Sequence, residues 1–214
     1  MQILLCAATS FEIQPTLDLL GRHHRAGVEV LITGVGLAAA TYHISKALQA
    51  RRPHLVLQAG VAGSLDASFV PGDVVAVKDE VIGDAGVVEE AGFRSLFDLN
   101  LEDPEVHPWQ GGKLVNPFSI FTPGLPLVSA VTVNEISTSA DRIRYYREAL
   151  KAQVESLEGA ALHYVALSEN INFLQLRAIS NFIGERDKSR WKLAEAIDRL
   201  NQELIQQLSK LLDE

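Results

Sequence analysis

Leu174-Gln175-Leu176-Arg177-Ala178-Ile179-Ser180-Asn181-Phe182-Ile183-Gly184-Glu185-Arg186-Asp187-Lys188 passes from an apolar run into a charged, polar segment. Its apolar part, Asn172–Ser180, reads as a buried strand that stops in a polar loop. Beyond the loop, apolar residues recur at Leu193, Ile197, Leu200, Leu204, Leu208 and Leu211. That is helical periodicity with a polar opposite face, and it predicts a last helix from about Ser189 to Leu212. In a buried parallel sheet, ligands sit beyond the carboxyl ends of the strands. Ser180-Asn181 stands at such an end.

The same alternation runs upstream. Gln2–Ala8 reads as a first strand, and Ser10 as the N-cap of a helix over Phe11–Leu20, which puts Glu12 at the junction. Gly21–Gly27, with His23, His24 and Arg25, reads as a basic surface turn and not a metal site. Val28–Thr33 is a second strand, broken by Gly34-Val35-Gly36 before a helix over Leu37–Arg51. His54–Gln58 is a third strand, ending in Ala59-Gly60-Val61-Ala62-Gly63-Ser64. Two glycines there allow the backbone to approach a ligand closely. Val74–Val81, Leu127–Val133 and Ala152–Glu155 read as further strands, and Ser139–Leu150 and Leu157–Ser168 as helices. Gly83–Asp103 reads as loop, and Pro104–Leu125 as an irregular excursion whose hydrophobic residues need burial. Strands alternating with helices predict an α/β fold, a mixed or mostly parallel sheet with helices on both faces. The length, 214 residues, fits a single domain over 1–214.

Composition narrows the partners. Acidic residues outnumber basic ones 27 to 19, giving a formal net charge of −8. A nucleic-acid binder usually carries the opposite sign, so small molecules or copies of the chain are the expected partners. Cys6 is the single cysteine and lies in an apolar run, which excludes an intrachain disulfide and a cysteine-based zinc site. The opening residues lack the basic start of a signal peptide, and no apolar run approaches a membrane span. A cytoplasmic location is the expectation.

Single motifs decide little. Gly34-Val35-Gly36 has Ala39 where a dinucleotide fingerprint wants its third glycine, and His54–Ala62 offers no acidic partner. A tight turn is the better reading. Glu155-Ser156-Leu157-Glu158-Gly159-Ala160-Ala161 sets two carboxylates at a strand-to-helix junction, where Glu158 suits either a helix dipole or a sugar diol. Ser180-Asn181 alone is an ordinary strand-ending turn.

The ordered set is more specific. Ala8-Thr9-Ser10-Phe11-Glu12, Thr33-Gly34-Val35-Gly36, Ala59-Gly60-Val61-Ala62-Gly63, Pro71-Gly72-Asp73-Val74-Val75, Glu155–Ala161 and Arg177-Ala178-Ile179-Ser180 span nearly the whole chain. Together they resemble the nucleoside phosphorylase and nucleosidase superfamily. Glu80-Val81-Ile82-Gly83-Asp84, Phe93-Arg94-Ser95-Leu96, Val131-Thr132-Val133-Asn134 and Ser180–Asp187 resemble its futalosine hydrolases, enzymes of the alternative menaquinone pathway. The resemblance implies a three-layer α/β domain with a central, partly barrel-like mixed sheet flanked by helices. It implies that Glu12 activates water and Glu158 holds the ribose hydroxyls. Gly60, Val61, Ala62 and Gly63 would lie along ribose and nucleophile, Val133, Asn134, Ser156 and Leu157 would wall the site, and Phe182 would pack near the base beside Ser180. It also implies a homo-oligomer and a reaction without metal or organic cofactor.

One position departs from adenine-releasing members, which resemble Ser-Asp where this chain has Ser180-Asn181. A carboxamide is no general acid at neutral pH, but it offers donors and an acceptor. It therefore favours a 6-oxopurine such as hypoxanthine, the base of futalosine. Glu12, in place of a phosphate-binding cation, favours hydrolysis over phosphorolysis. The alternatives are another 6-oxopurine nucleosidase or phosphorylase, a methylthioadenosine/S-adenosylhomocysteine nucleosidase, or a nucleoside-binding protein without turnover. Arg94, Arg186 and Lys188 are candidates for the non-purine end of the substrate.

Overall fold

A computed structural model describes residues 1–23, 27–90, 92–117 and 124–213. Among the described residues, ten strands and five helices run in the order β1 (Ile3–Ala7), α1 (Ser10–His23), β2 (Val28–Ile32), α2 (Leu37–Ala50), β3 (Leu55–Ser64), β4 (Val74–Ile82), β5 (Gly86–Glu89), β6 (Gly92–Ser95), β7 (Leu114–Val115), β8 (Leu127–Thr132), α3 (Ala140–Glu148), β9 (Val154–Ser156), α4 (Gly159–Ser168), β10 (Phe173–Phe182) and α5 (Leu193–Asp213).

The sheet is mixed and closes on itself. Its order is β10-β4-β8-β9-β3-β1-β2, and β10 also pairs with β3, so β3, β10, β4, β8 and β9 form a ring. Strand β3 is the axis of this arrangement. One edge pairs with β10 in parallel from Val56 to Ser64. The other edge pairs with β1 over Leu55–Gln58 and with β9 only at Gly63–Ser64. Between those two partners the edge at Ala59–Ala62 is left without a strand. A row of main-chain donors and acceptors must find other partners there.

Side-chain alternation explains the layers. On β10, Leu174, Leu176 and Ala178 face one way and pack with Ala196, Leu200, Leu204 and Leu208 of α5. Each such buried leucine contributes about 1.5–3 kcal/mol relative to exposure. Helix α1 shares this face through Ile13, Leu17 and Leu20. Leu4, Cys6 and Val56 look the other way and pack on α2 and α4. Burial pushes the Cys6 thiol well above its ordinary range.

Several boundaries differ from the sequence reading. β3 extends to Ser64 and β10 to Phe182 because each supplies the other's hydrogen-bond partners, which no periodicity in one segment reveals. The hairpin β5–β6 stands where a loop is expected; β5 is exposed throughout, so it has no buried alternation to read. Thr9, not Ser10, holds the capping position of α1, and Ser10 is already helical. α5 begins at Leu193, after a short turn at Lys188–Arg190 capped by Asp187. In the proline-rich excursion, Trp109 and Leu114 are buried with Ala160, and Leu114 belongs to strand β7. His24, Arg25 and 118–123 lie outside the described residues. Among the described residues no helix is long and apolar enough to cross a membrane.

Candidate active site

Glu12 sits in the first turn of α1 and is 8% exposed. Thr9 and Glu12 have the spacing of a capping box. Thr9 N and Thr9 Oγ1 both donate to Oε2 of Glu12, at 3.1 and 3.0 Å. Oε1 accepts from Val61 N at 3.1 Å. Val61 lies on the strand-free edge of β3, so the carboxylate takes the place of a missing ladder partner.

Glu158 caps α4 and is 6% exposed. Its Oε1 accepts from Gly36 N at 2.9 Å, and its Oε2 lies 3.9 Å from Arg177 Nη1. Gly36 has φ +93 and Gly34 φ +79, conformations that favour glycine. The Gly34-Val35-Gly36 turn thus presents an N–H to a carboxylate and is not a dinucleotide loop. Arg177 is 1% exposed and gives Nη2 to Gln58 Oε1 at 3.0 Å. A Cβ on Gly60 would lie 2.4 Å from Arg177 Nη1 and 3.0 Å from Glu12 Oε1. The bare Cα of Gly60 therefore makes room for two of the protein's own charged groups, where the sequence suggests room for a ligand.

Three residues further along β3, Gly63 pairs with Asn181, and a register shift falls between Ile179 and Asn181. The bulge leaves Ser180 unpaired and lets the strand continue with Asn181 opposite Gly63. Ser180 Oγ lies 2.8 Å from Asn181 Oδ1 and 3.3 Å from Ala62 O. Asn181 Nδ2 donates to Phe182 O at 3.0 Å. A carbonyl only accepts, so this contact fixes the amide's orientation and leaves one N–H free of it. Phe182 is 41% exposed and borders the same end. At about 3.3 Å per residue, Gly60 and Gly63 stand about 10 Å apart.

The remaining expected residues serve the frame as well. Val133 is fully buried with Leu65, Val81 and Tyr146, and Leu157 packs on that cluster. Ser156 Oγ accepts from Gly159 N at 3.2 Å, which ties down the start of α4. Asn134 bonds to Asp84 and lines a groove of about 1140 Å³ between the β5–β6 hairpin and α3, with Phe93 and Arg142. That groove does not include Glu12, Glu158 or Arg177. Arg94 donates to Asp98 O, and Arg186 stacks on Trp191.

Behind the carboxylates lies a polar interior that the sequence reading passes over. Glu80 is fully buried and accepts from Gln175 Nε2 at 2.9 Å and Thr132 Oγ1 at 3.0 Å. Burial pushes its carboxyl up to about 7, against the opposing pull of Gln175, Arg177 and Thr132. His163 is buried nearby, pushed down to about 4 by desolvation, with Nδ1 on Leu114 O at 2.9 Å. The available signal was a polar residue inside an apolar strand: Gln58, Glu80, Gln175 and Arg177 all interrupt such runs.

A doubly covered, partly closed sheet with two buried carboxylates at its strand ends defines the class. The family model of the phosphorylase superfamily matches residues 19–214, and the chain belongs to that family. Three futalosine hydrolases are similar to it. The one from Acidothermus cellulolyticus is 29% identical over 184 residues, 83% of this chain and 73% of the relative. Those from Streptomyces coelicolor and Thermus thermophilus are 28% and 29% identical, each over 81% of this chain and over 75% and 78% of their own lengths. Among solved structures, a futalosine hydrolase of Helicobacter pylori superposes with TM-score 0.82 at 18% identity, covering 98% of both chains. A Helicobacter pylori 5'-methylthioadenosine/S-adenosylhomocysteine nucleosidase gives the same TM-score and identity over 98% of this chain and 99% of its own. These structures share the fold.

Proposed function

We propose that the chain hydrolyses the N-glycosidic bond of futalosine, releasing hypoxanthine and dehypoxanthine futalosine, with residues 1–214 acting as one catalytic domain. The observation that carries this reading is the placement of Glu12 and Arg177 around Gly60, with Glu158 beside Arg177, while Asn181 of β10 stands opposite Gly63, about 10 Å further along β3. That span suits a purine nucleoside, with its sugar beside Glu12 and Glu158 and its base at Asn181. The similarity to three futalosine hydrolases supports this substrate over the adenine nucleosides.

In this reading water attacks the ribose anomeric carbon while the bond to the purine breaks. Positive charge builds on the sugar, and the buried carboxylates stabilise it. Glu12 takes the water's proton. Glu158, oriented by Gly36 N, accepts from the ribose hydroxyls. The free N–H of Asn181 serves the departing base, whose negative charge is quenched by a proton from solvent. Glu12 already occupies Val61 N, so a phosphate dianion would meet a carboxylate there. This favours water as nucleophile.

Self-association belongs to the same reading. Phe11, Val30, Ile32, Val35 and Tyr42 are exposed apolar residues on α1, β2, the following turn and α2. They suit a second copy of the chain, and sedimentation equilibrium at micromolar concentration should give at least a dimer; a monomer would contradict it. The test of function is hypoxanthine release from futalosine in phosphate-free buffer, lost in Glu12→Gln. Release that requires phosphate would refute hydrolysis.

A further inference from the structure

We infer that Asn201, in the middle of α5, is a positioning residue for the carboxylate of Glu12; the inference rests on the role proposed above for Glu12. Helix α1 is broken just after Glu12. Ile13 has φ −120 and ψ 17, outside helical geometry, and Pro15 follows with no N–H to give. In an unbroken helix Thr16 N would donate to Glu12 O. Here each of these two groups turns to the same side chain. Thr16 N donates to Asn201 Oδ1 at 3.1 Å, and Asn201 Nδ2 donates to Glu12 O at 2.9 Å. Thr16 Oγ1 adds a 2.6 Å contact to Oδ1, and Nδ2 is also 2.7 Å from Ile197 O.

One carboxamide therefore splints the break. Both partners are buried, Asn201 at 2% and Thr16 at 0% exposure. The break separates two tasks of α1. Its body packs Leu17 and Leu20 on the α5 face, while its first turn swings Glu12 toward Thr9 and Val61. The splint must donate to one group and accept from the other, which an amide does and an apolar side chain cannot. An asparagine among the buried leucines of α5 has no packing reason to be there.

The test compares Asn201→Leu, Asn201→Asp and Glu12→Gln on futalosine, with active sites counted by hypoxanthine-binding stoichiometry. In Asn201→Leu, kcat per site should fall about 10- to 100-fold, the scale of a misplaced catalytic group, with KM within about threefold. Asn201→Asp keeps Oδ1 for Thr16 but, when ionised, loses the donor to Glu12 O. Protonation restores that donor, so its kcat relative to wild type should rise toward acid pH. This readout does not depend on Asn201→Leu folding. Wild-type kcat per site in a folded Asn201→Leu, or a pH-independent ratio for Asn201→Asp, overturns the inference while inactive Glu12→Gln leaves the site reading intact. Full turnover by Glu12→Gln would instead overturn the role of Glu12 itself.

Discussion

Glu80→Gln should stabilise the protein above neutral pH. In the folded chain Glu80 is enclosed by Gln175, Thr132 and the start of α4, and a Cβ on Gly159 would overlap its Oε1. Burial raises its carboxyl from 4.5 to about 7. A raised folded value means that the native state holds a proton the unfolded chain has released. Stability from this group is therefore fully present below about pH 4.5 and is lost as pH rises through about 7. The loss between pH 5 and pH 8 is on the order of 2.5 kcal/mol. His163 works in the opposite direction, because its value is pushed down to about 4 and its contribution is lost on acidification. The wild-type profile is thus flattened at mildly acid pH, and the difference between variant and wild type is the quantity to read. Urea unfolding at a series of pH values should give a difference that grows in favour of Glu80→Gln by about 2.5 kcal/mol from pH 5 to pH 8. A difference constant with pH to within about 0.5 kcal/mol would refute the assignment of a protonated, buried Glu80.

Two further substitutions probe the site. Asn181→Asp places a carboxylate against Phe182 O, removing the donor that orients the side chain. Its kcat/KM for futalosine should drop about 100-fold while cleavage of methylthioadenosine rises, since mispaired buried polar groups are costly; an unchanged ratio would mean that Asn181 does not read position 6 of the purine. Gly60→Ala drives a methyl group into Arg177 Nη1 and toward Glu12 Oε1. It should abolish turnover while costing about 1–3 kcal/mol in thermal or urea stability, and retained activity would contradict the crowding of both groups at Gly60.

The layers of the fold were legible because burial writes itself into sequence. The period of Leu200, Leu204 and Leu208 and the apolar run of β10 each report a face pressed against the other. Strand ends were not legible. Whether β10 stops at Ser180 or reaches Phe182 depends on pairing with β3, more than a hundred residues away. The exposed hairpin β5–β6 left no pattern, since its stability comes from cross-strand contacts and not from a buried face. Glu12 and Glu158 could be placed at strand-to-helix junctions, but their proposed roles came from the family resemblance and not from that position. Their partners could not be picked out. Arg177 and Gln58 look like interruptions of apolar strands until β3 and β10 are laid side by side. Asn201 is harder still, for its meaning lies in a helix break at the other end of the chain.

Asn181, Glu12 and Glu158 are proposed to make a hydrolytic site for futalosine. The most direct measurement is the ratio of kcat/KM values for futalosine, inosine and methylthioadenosine, determined side by side without phosphate. Futalosine should lead methylthioadenosine by at least about 100-fold, because a site built for particular hydrogen bonds rejects a base that mispairs with them, while inosine, with the same base, reads the contribution of the non-purine end. Methylthioadenosine cleaved as well as futalosine, or inosine cleaved faster once phosphate is added, would contradict a hydrolytic site for futalosine.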